Sequence, residues 1–134
     1  MIEPHTGEGF DAPAPETAYA GAPAIVREIS NVLALTTRLH RADDRDTATE
    51  REQRLRKAAL LDRIALFEAT EYAPGVAAEA IAMAEAGARK LAAYDTEHDT
   101  STGPIGPGSP EWDPSHRPYV RQEYAAWARQ HTGT

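Results

Sequence analysis

Residues 55–67 read Leu-Arg-Lys-Ala-Ala-Leu-Leu-Asp-Arg-Ile-Ala-Leu-Phe, and the distribution of their apolar groups decides the fold. At 100° per residue, Leu60, Ile64 and Phe67 share one side of a helix, Leu55, Ala59 and Leu66 a second, and Ala58, Leu61 and Ala65 a third. A rod that is apolar nearly all round needs more than one neighbour. Two companion helices leave part of it uncovered, which predicts self-association. Leu55, Leu61 and Leu66 are the expected interface positions, Leu61 and Leu66 foremost as contacts outside the main seam.

Working outward, Asp43, Asp44 and Asp46 read as a polar turn, and Thr47 followed by Glu50 has the spacing of a capping box that starts this helix. It is expected to run to about Tyr72, before Pro74 and Gly75 interrupt it. Glu50 with Arg54, and Glu52 with Arg56, stand four apart in the favourable acid-first order on its charged first half. Upstream, Pro23 suits a first helical residue, and Ile25, Ile29, Val32, Thr36 and Leu39 recur at helical spacing with Val26 and Leu33 beside them. Arg38, His40 and Arg41 then put positive charge where the helix dipole favours it, so this helix is expected to end near Arg41. Downstream, Ala77, Ile81, Ala84, Ala88 and Leu91 define a third helix, on which alanines 80, 84, 88 and 92 permit close approach. Short connections favour antiparallel neighbours.

The flanks read differently. Residues 1–22 hold Glu3, Glu8, Asp11 and Glu16 with no lysine or arginine and few large apolar groups, which predicts a flexible acidic arm. Residues 96–118, with Gly103, Pro104, Gly106, Pro107, Gly108 and Pro110, read as a linker. Beyond it, Val120, Tyr124, Trp127 and His131 fall at helical spacing, so 119–134 reads as a short amphipathic aromatic helix. Alone it is too short to be stable in water. Its aromatic groups, with Trp112, are expected to dock on its own bundle, a sister subunit or a foreign protein. The expectation is therefore an all-α chain: a three-helix antiparallel bundle or a helical hairpin oligomer over 23–95, with a tethered short C-terminal helix.

Composition narrows the function. The chain has 134 residues, room for one domain, and a net charge of −7 whose excess lies in 1–22 and in 95–118, where five acids face Arg117 alone. It has no cysteine, which excludes disulfides, thiolate metal sites and cysteine nucleophiles. No stretch reaches the roughly 20 apolar residues of a membrane span, and residues 1–10 are not signal-like, so the cytoplasm is the expected location and no membrane partner is expected.

Chemical motifs are sparse. Asp95 with His98, and Asp113 with His116, are metal-ligating types three apart, but they occupy linker-like sequence and not inward-facing helical positions. A metal-dependent enzyme is accordingly the weakest alternative. Arg51, Arg54 and Lys57 could neutralise phosphates, yet acids separate the helix's bases and they do not share a face. No nucleophile elbow and no phosphate-cradling glycine loop is present. The leading expectation is a non-catalytic, self-associating scaffolding or regulatory protein without cofactor, with Leu55, Leu61, Leu66, Trp112, Tyr124 and Trp127 at partner surfaces. The alternative is an accessory nucleic-acid binder.

Overall fold

The computed structural model describes residues 13–41, 46–72 and 74–131. The first twelve residues of the expected arm, Asp43 and Asp44 of the expected turn, and the last three residues lie outside the described residues. Among the described residues the regular structure is all helical, without strands. α1 spans Pro15–Ala18, α2 Ile25–Arg41, α3 Thr47–Glu71, α4 Pro74–His98 and α5 Arg117–His131, with a 3-10 turn at Pro110–Trp112.

The helix ends follow from local chemistry. α3 is capped by Asp46, whose carboxylate accepts the Thr49 N–H at 2.6 Å, so the cap sits one residue before the expected Thr47. α2 starts two residues after Pro23, with the Ala24 carbonyl accepting the Glu28 N–H at 2.9 Å. α4 runs past the basic pair Arg89 and Lys90 to His98. There Asp99 turns left-handed (φ 54°) and the Thr100 N–H returns to the Asp95 carbonyl at 3.2 Å, closing the last turn in a Schellman motif.

α3 and α4 form an antiparallel hairpin. Arg51 meets Asp95, Ala58 and Leu61 meet Gly87, and Ile64 and Glu68 share a hollow with Val76 and Glu79. Gly87 matters at this crossing, because a Cβ there would stand 3.0 Å from Leu61 Cδ1. α2 packs on α3 through Glu28, Val32 and Leu35 without reaching α4. The predicted seam on this helix is thus rotated: Val32 faces inward, whereas Ile29, Val26 and Leu33 face outward. In place of a closed three-helix bundle, α2, α3 and α4 lie side by side as a layer.

α5 lies across one side of that layer and touches both α3 and α4. Its Tyr119, Val120 and Tyr124, with Trp112, close the core over Leu55, Ala58, Ala59, Ala88, Leu91 and Ala92. The additional neighbour that α3 needs is therefore supplied by its own chain. The glycines and prolines between α4 and α5 hide this third companion of the 55–67 stretch from any reading of periodicity.

Those residues are not a free tether. Trp112 is buried and its indole N–H donates to the Gly106 carbonyl at 2.6 Å. The backbone N–H groups of Thr102 and Gly103 donate to Glu123, and Gln122 exchanges bonds with both backbone groups of Ile105. A Cβ on Gly103 would fall 2.4 Å from the Gln122 side chain, so any other residue there would push Gln122 off its bonds to Ile105. Irregular backbone is tied down here by side chains of α5. The described end of the N-terminal arm is likewise packed, with α1 against α5 and Tyr19 edge-on to Tyr124 at 5.3 Å between ring centres.

Candidate functional site

Two features could carry function: a charged network beneath α5, and the opposite side of the layer. The network is built by i, i+4 spacing on α5, which aims Arg117 and Arg121 at Asp62 in the middle of apolar α3. Asp62 accepts Arg117 Nε at 2.6 Å, Arg121 Nε and Nη2 at 2.9 Å each, and the Tyr19 hydroxyl at 2.6 Å. All three charged groups are fully buried. Two residues past Arg121 on α5, Glu123 shares Arg51 with Asp95, and the Arg51 Nη2 lies 2.7 Å from Glu123 and 2.9 Å from Asp95. Tyr119 donates to Asp95 at 2.6 Å.

Burial, followed by the Asp62 charge and hydrogen bond, pushes the Tyr19 hydroxyl well above its ordinary value. Burial and the Asp95 bond do the same to Tyr119. Both phenols are held as hydrogen-bond donors. The acids are saturated by partners and closed off from solvent, so the network fixes α5 and the 99–116 segment in place and offers no reacting atom an approach.

The opposite side of the layer is open. On α3 the stripe Arg54, Lys57, Leu61, Ile64 and Glu68 faces away from α5, and on α4 it meets Val76, Glu79, Met83 and Lys90. Two adjoining hollows of about 300 and 320 Å³ lie along this groove, and Leu61 and Met83 line both. α2 borders the same side. Gln53, at the edge of the first hollow, donates to Thr36, and Ile29 and Leu33 precede Thr36 at helical spacing on α2. Leu33 is 62 % exposed, Val26 79 %, Val76 58 % and Met83 51 %.

The charges along the groove are segregated. Arg54, Lys57 and Lys90 line one hollow with no carboxylate among its residues, while Glu68 and Glu79 line the other with no cation. None of these three cations is in an ion pair among the described residues. Arg54 instead lies 4.9 Å over the Tyr94 ring, with its Nε buried and lacking a hydrogen-bond partner.

The predicted site residues divide accordingly. Leu55, Trp112 and Tyr124, expected at a partner surface, lie inside the chain's own core, because α5 folds back on α3. Leu61 is in the open groove, whereas Leu66 is half-buried outside both hollows. Trp127 is half-buried on α5, under the Arg56 guanidinium at 5.1 Å and stacked on His131 at 4.5 Å. Arg51 is engaged by two buried carboxylates and is not offered to phosphate, while Arg54 and Lys57 stand on the groove rim. Asp95 is likewise engaged, and His98 packs on Tyr94 at 4.2 Å. Among the described residues no three His, Asp or Glu side chains gather as metal ligands, and Asp95, His98, Asp113 and His116 are not brought together.

Sequence reading missed Met83 and Val76 as surface groups, and Asp62, Arg117, Arg121 and Glu123 as a buried network. Asp62 alone carried a signal: a carboxylate inside an apolar run needs a buried partner. Comparison with protein-family models, with curated proteins and with solved structures yields no match.

Proposed function

We propose that this chain is a non-catalytic helical interaction protein, scaffolding or regulatory in role, that works in the cytoplasm through the open side of the α2–α3–α4 layer. The observation that carries the reading is the placement of exposed apolar groups. Val76 and Met83 are exposed along the groove between α3 and α4, with Leu61 between them, and among the described residues exposed Ile29 and Leu33 precede on α2 the Thr36 that Gln53 of the first hollow contacts. Scattered apolar residues are ordinary on a protein surface, but apolar groups gathered along one groove, as Leu61, Ile64, Val76 and Met83 are, mark a contact with another surface. The buried network beneath α5 supports the same reading, since its carboxylates are all engaged by partners and enclosed, and it pins α5 to α3 and α4. Self-association is the simplest form of this function, a helical-hairpin oligomer joined through α3 and α4.

The test is light scattering across a dilution series, comparing the natural chain with a Val26→Ser, Leu33→Ser and Met83→Ser triple variant. The natural chain is expected above its 14.6 kDa chain mass, and the variant at it, with an unchanged helical circular-dichroism spectrum. A natural chain that stays monomeric at every concentration would count against self-association.

The three cations of the first hollow favour a second reading, an accessory nucleic-acid contact through Arg54, Lys57 and Lys90. Filter binding at low and moderate salt decides it, because affinity for phosphates falls steeply as salt rises.

A further inference from the structure

We infer that the open face is covered by a second copy of this chain, related by a two-fold axis that lies in the face and runs perpendicular to α3, so that α3 meets α3 antiparallel at Leu61. The inference rests on the reading of this face as an interaction surface, and adds its partner and register.

Charge placement carries it. Arg54 and Glu68 stand seven residues before and seven after Leu61 on α3. At the helical rise each is about 10.5 Å from Leu61 along the axis. On α4, Lys90 stands seven residues to one side of Met83 and Glu79 four residues to the other, in the same sense along the groove. A two-fold axis through the Leu61 level exchanges the two ends. Arg54 then faces Glu68 of the second copy, and the Lys90 end faces the Glu79 end, twice over.

A parallel arrangement would set each cation cluster against itself, which costs free energy. A partner of one sign, acidic or basic, would match one hollow and be repelled by the other. A second antiparallel copy matches both. The middle of the face suits the same contact: Leu61 and Met83 are the apolar groups shared by the two hollows, and Ala80, Ala86 and Gly87 beside them leave room for close helix approach. Such an interface is isologous, so it closes at two copies and does not propagate.

The test uses charge reversal and mixing in the full chain. Arg54→Glu alone places like charges opposite each other at both ends, and Glu68→Arg alone does the same with the opposite sign. Each single variant is expected to dimerise about tenfold more weakly than the natural chain, a change of about 1.4 kcal/mol. An equimolar mixture of the two restores both attractive pairs, so it is expected to give a mass twice that of the chain at concentrations where each variant alone is monomeric. Because Arg54 also covers Tyr94, the fully surface pair Lys90→Glu and Glu79→Lys serves as a second mixture with the same expectation.

Restored mass in the mixtures supports the inference. Dimers that the single variants leave intact, or mixtures no tighter than their components, overturn the antiparallel register while leaving the interaction reading in place. A natural chain that is monomeric throughout overturns the inference and, with it, self-association as the form the interaction takes.

Discussion

The Arg51 guanidinium grips the Asp95 carboxylate with two parallel hydrogen bonds, Nε to Oδ1 at 3.0 Å and Nη2 to Oδ2 at 2.9 Å. The same Nη2 reaches Glu123 of α5, so one side chain joins the start of α3, the end of α4 and the middle of α5. Removing it strands two buried carboxylates. Arg51→Ala is expected to cost about 3–5 kcal/mol, the usual loss when one member of a buried pair is deleted. Arg51→Lys keeps the charge but cannot form the fork, and is expected to lose about half as much. Urea unfolding of the three proteins checks this, and a loss below about 1 kcal/mol for the alanine variant would place the pair with ordinary surface salt bridges.

Stability is expected to fall at both ends of the pH range, for separate reasons. Burial alone would raise the Glu28 carboxyl, but hydrogen bonds from Arg56 and Asn31, with the Arg56 and Arg63 charges, hold it below its ordinary 4.5. A lowered folded value means that its stabilisation is present above pH 4.5 and lost as pH falls through the folded value. Glu28→Gln should therefore flatten the acid limb of the urea midpoint plotted against pH. At the alkaline end, burial and the Asp95 bond hold the Tyr119 proton far above the ordinary 10.0. That stabilisation is present below pH 10.0 and declines above it, as the unfolded chain gives up the proton first. Tyr119→Phe should shallow this limb without abolishing it, because burial and Glu50 also push Tyr94 up to about 12. Unchanged limbs in the two variants would assign the titrations elsewhere.

How far the sequence foretold the structure depended on whether the signal was local. The all-α class, the end of α2 at Arg41 and the break at Pro74 rest on periodicity, dipole and proline, which act within a few residues. The docking of α5 and the 99–116 segment rests on pairs such as Arg117 with Asp62 and Glu123 with the Thr102 and Gly103 N–H groups, about twenty to fifty-five residues apart. Glycines and prolines removed regular structure there, but side chains of α5 supply the missing hydrogen bonds, and no spacing rule announces that. Leu61 lies on the third apolar side of the 55–67 stretch with Ala58 and Ala65, outside the main seam, and it lines both hollows. Met83 beside it carries no such signal, since the alanines around it read as a packing face.

Cutting the chain after residue 95 tests how much the C-terminal segment contributes. The expected three-helix unit would lose the cover of Trp112, Tyr119, Val120 and Tyr124 over Leu55, Leu91 and Ala92. Asp62 would also lose both arginines. Residues 1–95 are expected to show no cooperative thermal transition. Trp112→Ala in the full chain isolates one part of that loss and should cost about 3–5 kcal/mol, the range for emptying a buried aromatic site. A truncated chain that melts cooperatively near the full-length temperature would return 96–134 to the status of a tether.

Asp99 offers a change in the other direction. It occupies the left-handed position that closes α4, at φ 54°, where a β-carbon is crowded and glycine is favoured. Its negative charge also sits at the negative end of the helix dipole. Two gains are therefore combined in Asp99→Gly, relief of the backbone and removal of the charge, opposed by the greater freedom that glycine gives the unfolded chain. Asp99→Asn separates them, because it removes the charge while tolerating the left-handed conformation about as well as Asp. Glycine is expected to stabilise by about 0.5–1 kcal/mol, and asparagine by a smaller amount, of which the charge is the cause. Asp99→Ala, which removes the charge but keeps the β-carbon without a polar group to favour this turn, should fall below both. If alanine matched glycine in urea unfolding, the left-handed turn after His98 would not be the conformation that ends α4 in solution.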